Sequence, residues 1–394
     1  MKTLGVIRIL GIAIFVAIIC SPESTAQPVK ESNLSLNGYV SYMNSVQFEK
    51  PGSAWMIDNL LHNRLNFEYR LSSSFTFTAE MRNRLIYGDY MRTIPGYGDI
   101  VSNDIGYLSF LTFTLAENRS MILYSTFDRL NIEYNKGKFA ATAGRQRINW
   151  GQSFVWNPND IFNAYSFFDF DYEERQGSDA LRLQYFANET SEFDAAIKID
   201  GEKRITAALK YRFNRWGYDL QVLGGTLENT DMVLGAGWSG NLGRTGFTGE
   251  ITYFHPHDNF TDTSGVVLAS AGLNYLFSNS LAVNAEVIYN GYFNRMGIDS
   301  FTNLYFMPLS VKTISFSKFS WFGQVSYPIH PLLSGSFAVM LFPSIEGGNF
   351  LMPSLTWSIS NNMEASFLAQ RFSGSFGDES ETINFFYLRF RYSF

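Results

Sequence analysis

Three arginines, Arg64, Arg82 and Arg84, fall at even positions of two neighbouring segments in which polar and apolar residues alternate. Arg129, Arg145 and Arg147 follow, and the acids Asp160, Asp169 and Glu173 come close behind. Such groups make and break no bonds. Rows of opposite fixed charge facing one another across water order that water and select small ions and polar solutes. Covalent chemistry has little to work with. The histidines are His62, His255, His257 and His330, and none sits in a hydrolase-like arrangement with serine and acid. His255 and His257 with Asp258 could offer imidazole to zinc or copper, but the local sequence holds no third firm ligand. The chain is expected to be no enzyme and to carry no cofactor and no metal. A net charge of -6 argues against nucleic acid as a partner.

Charges of this kind need a scaffold that turns them to one side. His62, Arg64, Asn66, Glu68 and Arg70 alternate with Leu61, Leu65, Phe67, Tyr69 and Leu71, and the next segment repeats the pattern with Thr76, Thr78, Glu80, Arg82 and Arg84. A period of two places one set on a wet face and the other on a greasy one. Segments of roughly ten residues with this dyad alternation recur from Leu34 to Phe394. They are read as 34–42, 60–71, 74–87, 121–134, 137–147, 179–188, 191–200, 203–213, 216–226, 230–240, 245–255, 266–277, 281–292, 317–327, 332–342, 349–360, 363–373 and 382–394. That is eighteen strands, or sixteen if the pair within 216–240 is misread. Tight connections such as Ser72-Ser73, Asn135-Lys136 and Asn361-Asn362 alternate with long ones at 43–59, 88–120, 148–178 and 293–316. Short turns on one side and long loops on the other are the rule for transmembrane barrels.

The fold class that follows is all-β: a single antiparallel transmembrane β-barrel. Beyond the leader, no stretch reaches the ~18 consecutive apolar residues of a spanning helix, yet 17% of the residues are aromatic. A charge on the lipid face would cost about 2–4 kcal/mol at mid-bilayer. The alternating charges, Glu250, Glu286, Glu364, Arg389 and Arg391 among them, are therefore expected to face a wet lumen. Residues 1–26 read as a secretory signal, with Lys2 and Arg8 ahead of the apolar run to Cys20 and Ser24-Thr25-Ala26 at the cleavage site. Residues 27–394 form the barrel. Removal of the leader takes away Cys20, the only cysteine. No plug domain fits between Gln27 and Leu34, which disfavours energised uptake.

The last strand places Phe386, Leu388, Phe390, Tyr392 and Phe394 on one face, and it resembles the closing strand of bacterial outer-membrane barrels. A second likeness lies in Gly144-Arg145-Gln146, Trp150-Gly151 and Asn157-Pro158-Asn159-Asp160. This pattern is similar to one in porin-type outer-membrane barrels, near the alginate-export and related porin-like families and Bacteroidetes proteins, most of unassigned substrate. The resemblance implies a channel in the bacterial outer membrane, with membrane lipid, lipopolysaccharide and small solutes as partners; a homotrimer is compatible with it.

Residues 148–178 are too apolar for a free loop, since Trp150, Phe154, Trp156, Phe162 and Phe167 would each pay ~25 cal/mol per Å² exposed to water. The expectation is a constriction folded into the barrel, with Asp160, Asp169 and Glu173 opposing Arg129, Arg145 and Arg147. A cap of purely structural value, or a docking surface on a non-conducting barrel within an export or adhesion assembly, is the competing reading. A stacking track for saccharide or hydrophobic chains is a third. The partly helical spacing of Ile105 to Leu115 predicts a short helix or lid there.

Overall fold

The computed structural model of the protein describes residues 32–103, 106–168, 174–258, 260–298, 307, 309–376 and 379–394. Residues 1–26, read above as a signal, and Asp169 and Glu173 lie outside the described residues. Every strand pairs antiparallel with its neighbours. The first half contains β1 (Leu34–Phe48), β2 (Met56–Arg70), β3 (Phe75–Gly88), β4 (Thr112–Asn118), β5 (Met121–Lys136), β6 (Phe139–Gln146), β7 (Ser178–Asn188), β8 (Ser191–Ile199) and β9 (Ile205–Arg215). The second contains β10 (Tyr218–Leu227), β11 (Asp231–Leu242), β12 (Thr245–Pro256), β13 (Val266–Leu276), β14 (Ala282–Asn290), β15 (Phe319–His330), β16 (Leu333–Leu341), β17 (Glu346–Ser360), β18 (Met363–Phe376) and β19 (Glu379–Ser393).

Closure comes from β1 pairing with β19, from Tyr39 opposite Ser393 to Phe48 opposite Asn384. At the rim Phe394 and Gly38 exchange backbone hydrogen bonds of 2.9 and 3.0 Å, so no strand edge is left at the seam. Eighteen strands complete the wall and coincide with the eighteen segments of alternating polarity. The nineteenth, β4, corrects the helix expected over 105–115. β6 leaves the wall at Gln146, so the outer half of β5 loses that neighbour, and Thr112–Asn118 pairs with it instead. Two short helices, α1 (Asp89–Thr93) and α2 (Tyr97–Val101), precede it in the same long connection.

Outward rows are apolar and exposed, as at Leu181, Leu183, Tyr185, Leu234, Trp321, Val325, Phe337, Leu355, Phe386 and Leu388. So large an apolar girdle is the surface a bilayer covers. A polar cluster on β2, β3 and β5 interrupts it and satisfies itself. Asn63 donates to the Tyr39 carbonyl (3.2 Å) and accepts from Asn83 (3.0 Å), whose own oxygen takes the Ser125 hydroxyl (2.5 Å). Among the described residues no helix is long and apolar enough to cross a membrane.

Candidate functional site

The site is built where β6 ends. Gly144 holds φ +114°, and a Cβ there would stand 2.3 Å from the Leu130 carbonyl oxygen. Only glycine lets the chain bend here without collision, and residues 147–168 then turn into the lumen and the chain returns at 174–177.

Two wall carboxylates hold that segment by its backbone. Glu250 on β12 accepts from the amides of Gln152, Ser153 (3.1 Å) and Asn159 (2.8 Å). Glu286 on β14 accepts from Phe154 (3.0 Å), Val155 (3.0 Å) and Trp156 (2.6 Å). These amides have no strand partner, so the acids satisfy donors that would otherwise be stranded out of water. Asn159 adds bonds to the Ala236 carbonyl (3.0 Å) and the Thr252 hydroxyl (2.7 Å), and the Trp150 indole donates to Asp194 (2.8 Å). Trp150, Val155, Trp156, Ile161 and Phe162 are consequently buried against the wall.

The glycine, tryptophan and asparagine motif of the sequence thus folds and anchors this segment. A Cβ on Gly151 would lie 2.3 Å from the Asn157 side chain, and Asn157 caps the Ser153 amide at 2.9 Å. Asp160 does not oppose the arginines across a gap. It is fully buried, and its Oδ1 accepts from the Trp150 amide at 3.4 Å, while Oδ2 has no partner among the described residues. Burial pushes its carboxyl up to about 7, against the pull of the nearby Arg147 and the Trp150 amide.

Between the ordinary carboxylate range and about pH 7 the docked segment holds a proton that the undocked chain releases, so docking is strongest at low pH and weakens as pH rises through about 7. Protease cleavage within 150–165 is therefore expected to be faster at pH 8 than at pH 5. Asp160→Asn is expected to flatten that difference, and an unchanged pH profile in the variant would contradict it.

The predicted arginines fall into two groups. Arg145 sits in the row of Leu130 and is 1% exposed. It binds Asp179 (2.8 Å) and the carbonyls of Phe127 (3.1 Å) and Ser109 (2.6 Å), and lies 3.6 Å over the Tyr107 ring. Its charge fastens the approach to β4. Arg129 donates to the carbonyls of Glu174 (2.8 Å) and Arg175 (2.9 Å), and Arg147 reaches the Glu174 carbonyl at 3.4 Å. Both secure the return of the inward segment.

Arg64, Arg82 and Arg84 stand together on adjoining strands. The register aligns Arg82 with Arg64 and Tyr39, and Arg84 with His62, Ser41 and Arg391. Like charges directly opposite repel, and Asp128 answers them, binding Arg64 at 2.5 Å and Arg82 at 3.1 Å. Glu80 and Glu174 (3.6 Å) complete the shell around Arg64. His62 is 1% exposed with neither ring nitrogen hydrogen-bonded among the described residues, packed edge-on to Tyr39 at 5.2 Å. Arg391 lies 3.9 Å over that same ring. Arg389 and Arg391, read from the sequence as lumen-facing, thus extend the basic row.

No protein-family model matches the chain, and no curated protein does. Solved structures do. OccAB4 of Acinetobacter baumannii superposes with a TM-score of 0.56 at 9% identity, covering 93% of this chain and 100% of that one. The outer membrane protein OprD from Pseudomonas aeruginosa gives 0.56 at 10% identity over 92% and 94% of the two chains. Pseudomonas aeruginosa OccK5 gives 0.56 at 9% over 91% and 98%. What the chain shares with these proteins at such identities is the fold, that of a closed outer-membrane β-barrel.

Proposed function

We propose that this barrel is a porin-type channel of the bacterial outer membrane, passing small polar or anionic solutes by passive diffusion. From residue 150 to 168 the inward segment packs against the wall from β8 to β18, its return reaches Arg64 and Arg129 at Glu174, and the solute path runs along β19, β1, β2 and β3. The observation that carries this reading is the row Arg84, His62, Ser41 and Arg391 on four successive wall strands, which gives that path a positive wall. Arg389, beside Glu364, extends it, while Arg64, Arg82, Arg129 and Arg145 act as struts held by acids and carbonyls.

Planar-bilayer recording tests this. The wild type is expected to favour chloride over potassium in a salt gradient. Arg84→Gln with Arg391→Gln is expected to lower that permeability ratio about fivefold, the equivalent of the ~1 kcal/mol two charges exchange at 4 Å in water. A barrel that inserts and conducts nothing would favour the anchoring alternative. Identical selectivity in the variant would remove the basic row from the mechanism.

A further inference from the structure

A wall that merely hydrates a pore turns polar side chains inward, but β14 to β18 add a set of large apolar ones to Glu286 and Gln370. Ile288, Phe322, Met340, Phe350, Met352 and Phe372 face the interior and are buried there. The inward segment covers most of this surface. It leaves a cavity of about 400 Å³ lined by Phe168, Phe316, Phe350, Phe372, Phe385 and Tyr387, within the ~300–1,000 Å³ range of small-molecule sites. Its rings are fixed by one another. Phe168 stacks on Phe316 at 5.5 Å and meets Phe350 edge-on at 4.7 Å, and Phe385 lies parallel to Tyr387 at 6.0 Å.

One edge of the cavity is polar. Gln370 donates to the Phe168 carbonyl at 3.2 Å and accepts from the Tyr387 hydroxyl at 3.5 Å, and Ser45 lies opposite Tyr387 across the seam. Beyond that edge the same strand presents Arg389 and then Arg391 on the inward face, each step of two residues advancing ~7 Å. Arg389 is paired with Glu364 at 3.5 Å. An apolar box opening onto a basic row is complementary to a molecule with a greasy body and a single negative end.

We propose that this cavity seats the apolar ring or short chain of an amphipathic solute, with its anionic head toward Arg389 and Arg391. The inference rests on the channel reading and adds to it: selection acts on the apolar body of the solute as well as on its charge. The inner face of the wall, the overlying segment and the loop at 309–316 line the cavity, so its occupant is a solute in the lumen and not a tail of the surrounding bilayer.

The test is calorimetric titration of the detergent-solubilised full chain with 4-ethylbenzoate, 4-ethylbenzyl alcohol and acetate. The benzoate is expected to bind at least tenfold more tightly than either of the others. Ser45→Phe, which fills the cavity from the wall, is expected to weaken it tenfold or more, and Leu309→Trp, which fills it from the opposite loop, serves where the first variant does not fold. Arg389→Gln with Arg391→Gln is expected to bring the benzoate down to the level of the alcohol. Equal binding of acetate and benzoate, equal binding of alcohol and benzoate, or undiminished binding to a folded cavity-filled variant would each overturn the proposal. A conducting channel without ring preference sinks this inference alone. Ring binding by a barrel that never conducts upholds the seat and sinks the channel reading instead.

Discussion

Glu286→Ala is expected to free the inward segment from the wall and raise single-channel conductance several-fold, with Glu250→Ala acting in the same direction and the double variant exceeding either. Each substitution removes the acceptor of three backbone amides that lie out of water. A stranded buried donor costs ~1–3 kcal/mol, so the docked state loses more than the segment's apolar burial can easily offset. The segment then exchanges with conformations that expose it and widen the lumen. Glu286→Gln should fall between, because its amide retains one acceptor oxygen. Two measurements decide the matter: conductance in planar bilayers, and the rate of proteolysis between residues 150 and 168. Unaltered conductance together with unaltered cleavage would show that apolar packing of Trp150, Trp156 and Phe162 holds the segment without help from the two acids.

Asp128→Ala is expected to produce the largest loss of barrel stability of any single lumen substitution. Its carboxylate is fully buried and serves both Arg64, itself 0% exposed, and Arg82. Removal leaves two guanidinium groups on directly opposed positions, with Glu80 and Glu174 beside Arg64. Breaking a buried pair in this way costs ~3–5 kcal/mol. The readout is the temperature at which the folded, fast-migrating form is lost on a denaturing gel. Arg64→Met combined with Asp128→Leu should recover much of the loss, since neutral side chains of similar size leave no unpaired charge. A single variant that melts with the wild type would show that water, not Asp128, compensates these arginines.

The eighteen wall strands were legible because side-chain alternation is a local property. His62 to Leu71 announces its two faces within ten residues, and Phe386 to Phe394 does the same at the seam. Other features depended on partners far along the chain. Nothing near Glu250 or Glu286 marks them as anchors, because the amides they hold lie 91 to 132 residues away in sequence. The alternation likewise gave no warning of the apolar lumen over β16 and β17. There Phe337, Val339, Leu351 and Leu355 face out while Ala338, Met340, Phe350 and Met352 face in, so both sides read as greasy.

β4 was misjudged for a related reason. A strand seven residues long with loose alternation cannot be told from a helical turn until the vacancy beside β5 is known, and that vacancy exists only because β6 stops early. By itself, then, the sequence determined the number of crossings, the girdle, and the side of each strand that carries charge, since period and turn chemistry act over a few residues. Tertiary structure alone decided which charges neutralise one another, where Arg145 and Asp160 point, and how the interior divides into a basic wall and an apolar one. Those outcomes follow from strand register and from a segment folding back across the lumen, and both bring together groups separated by up to several hundred residues.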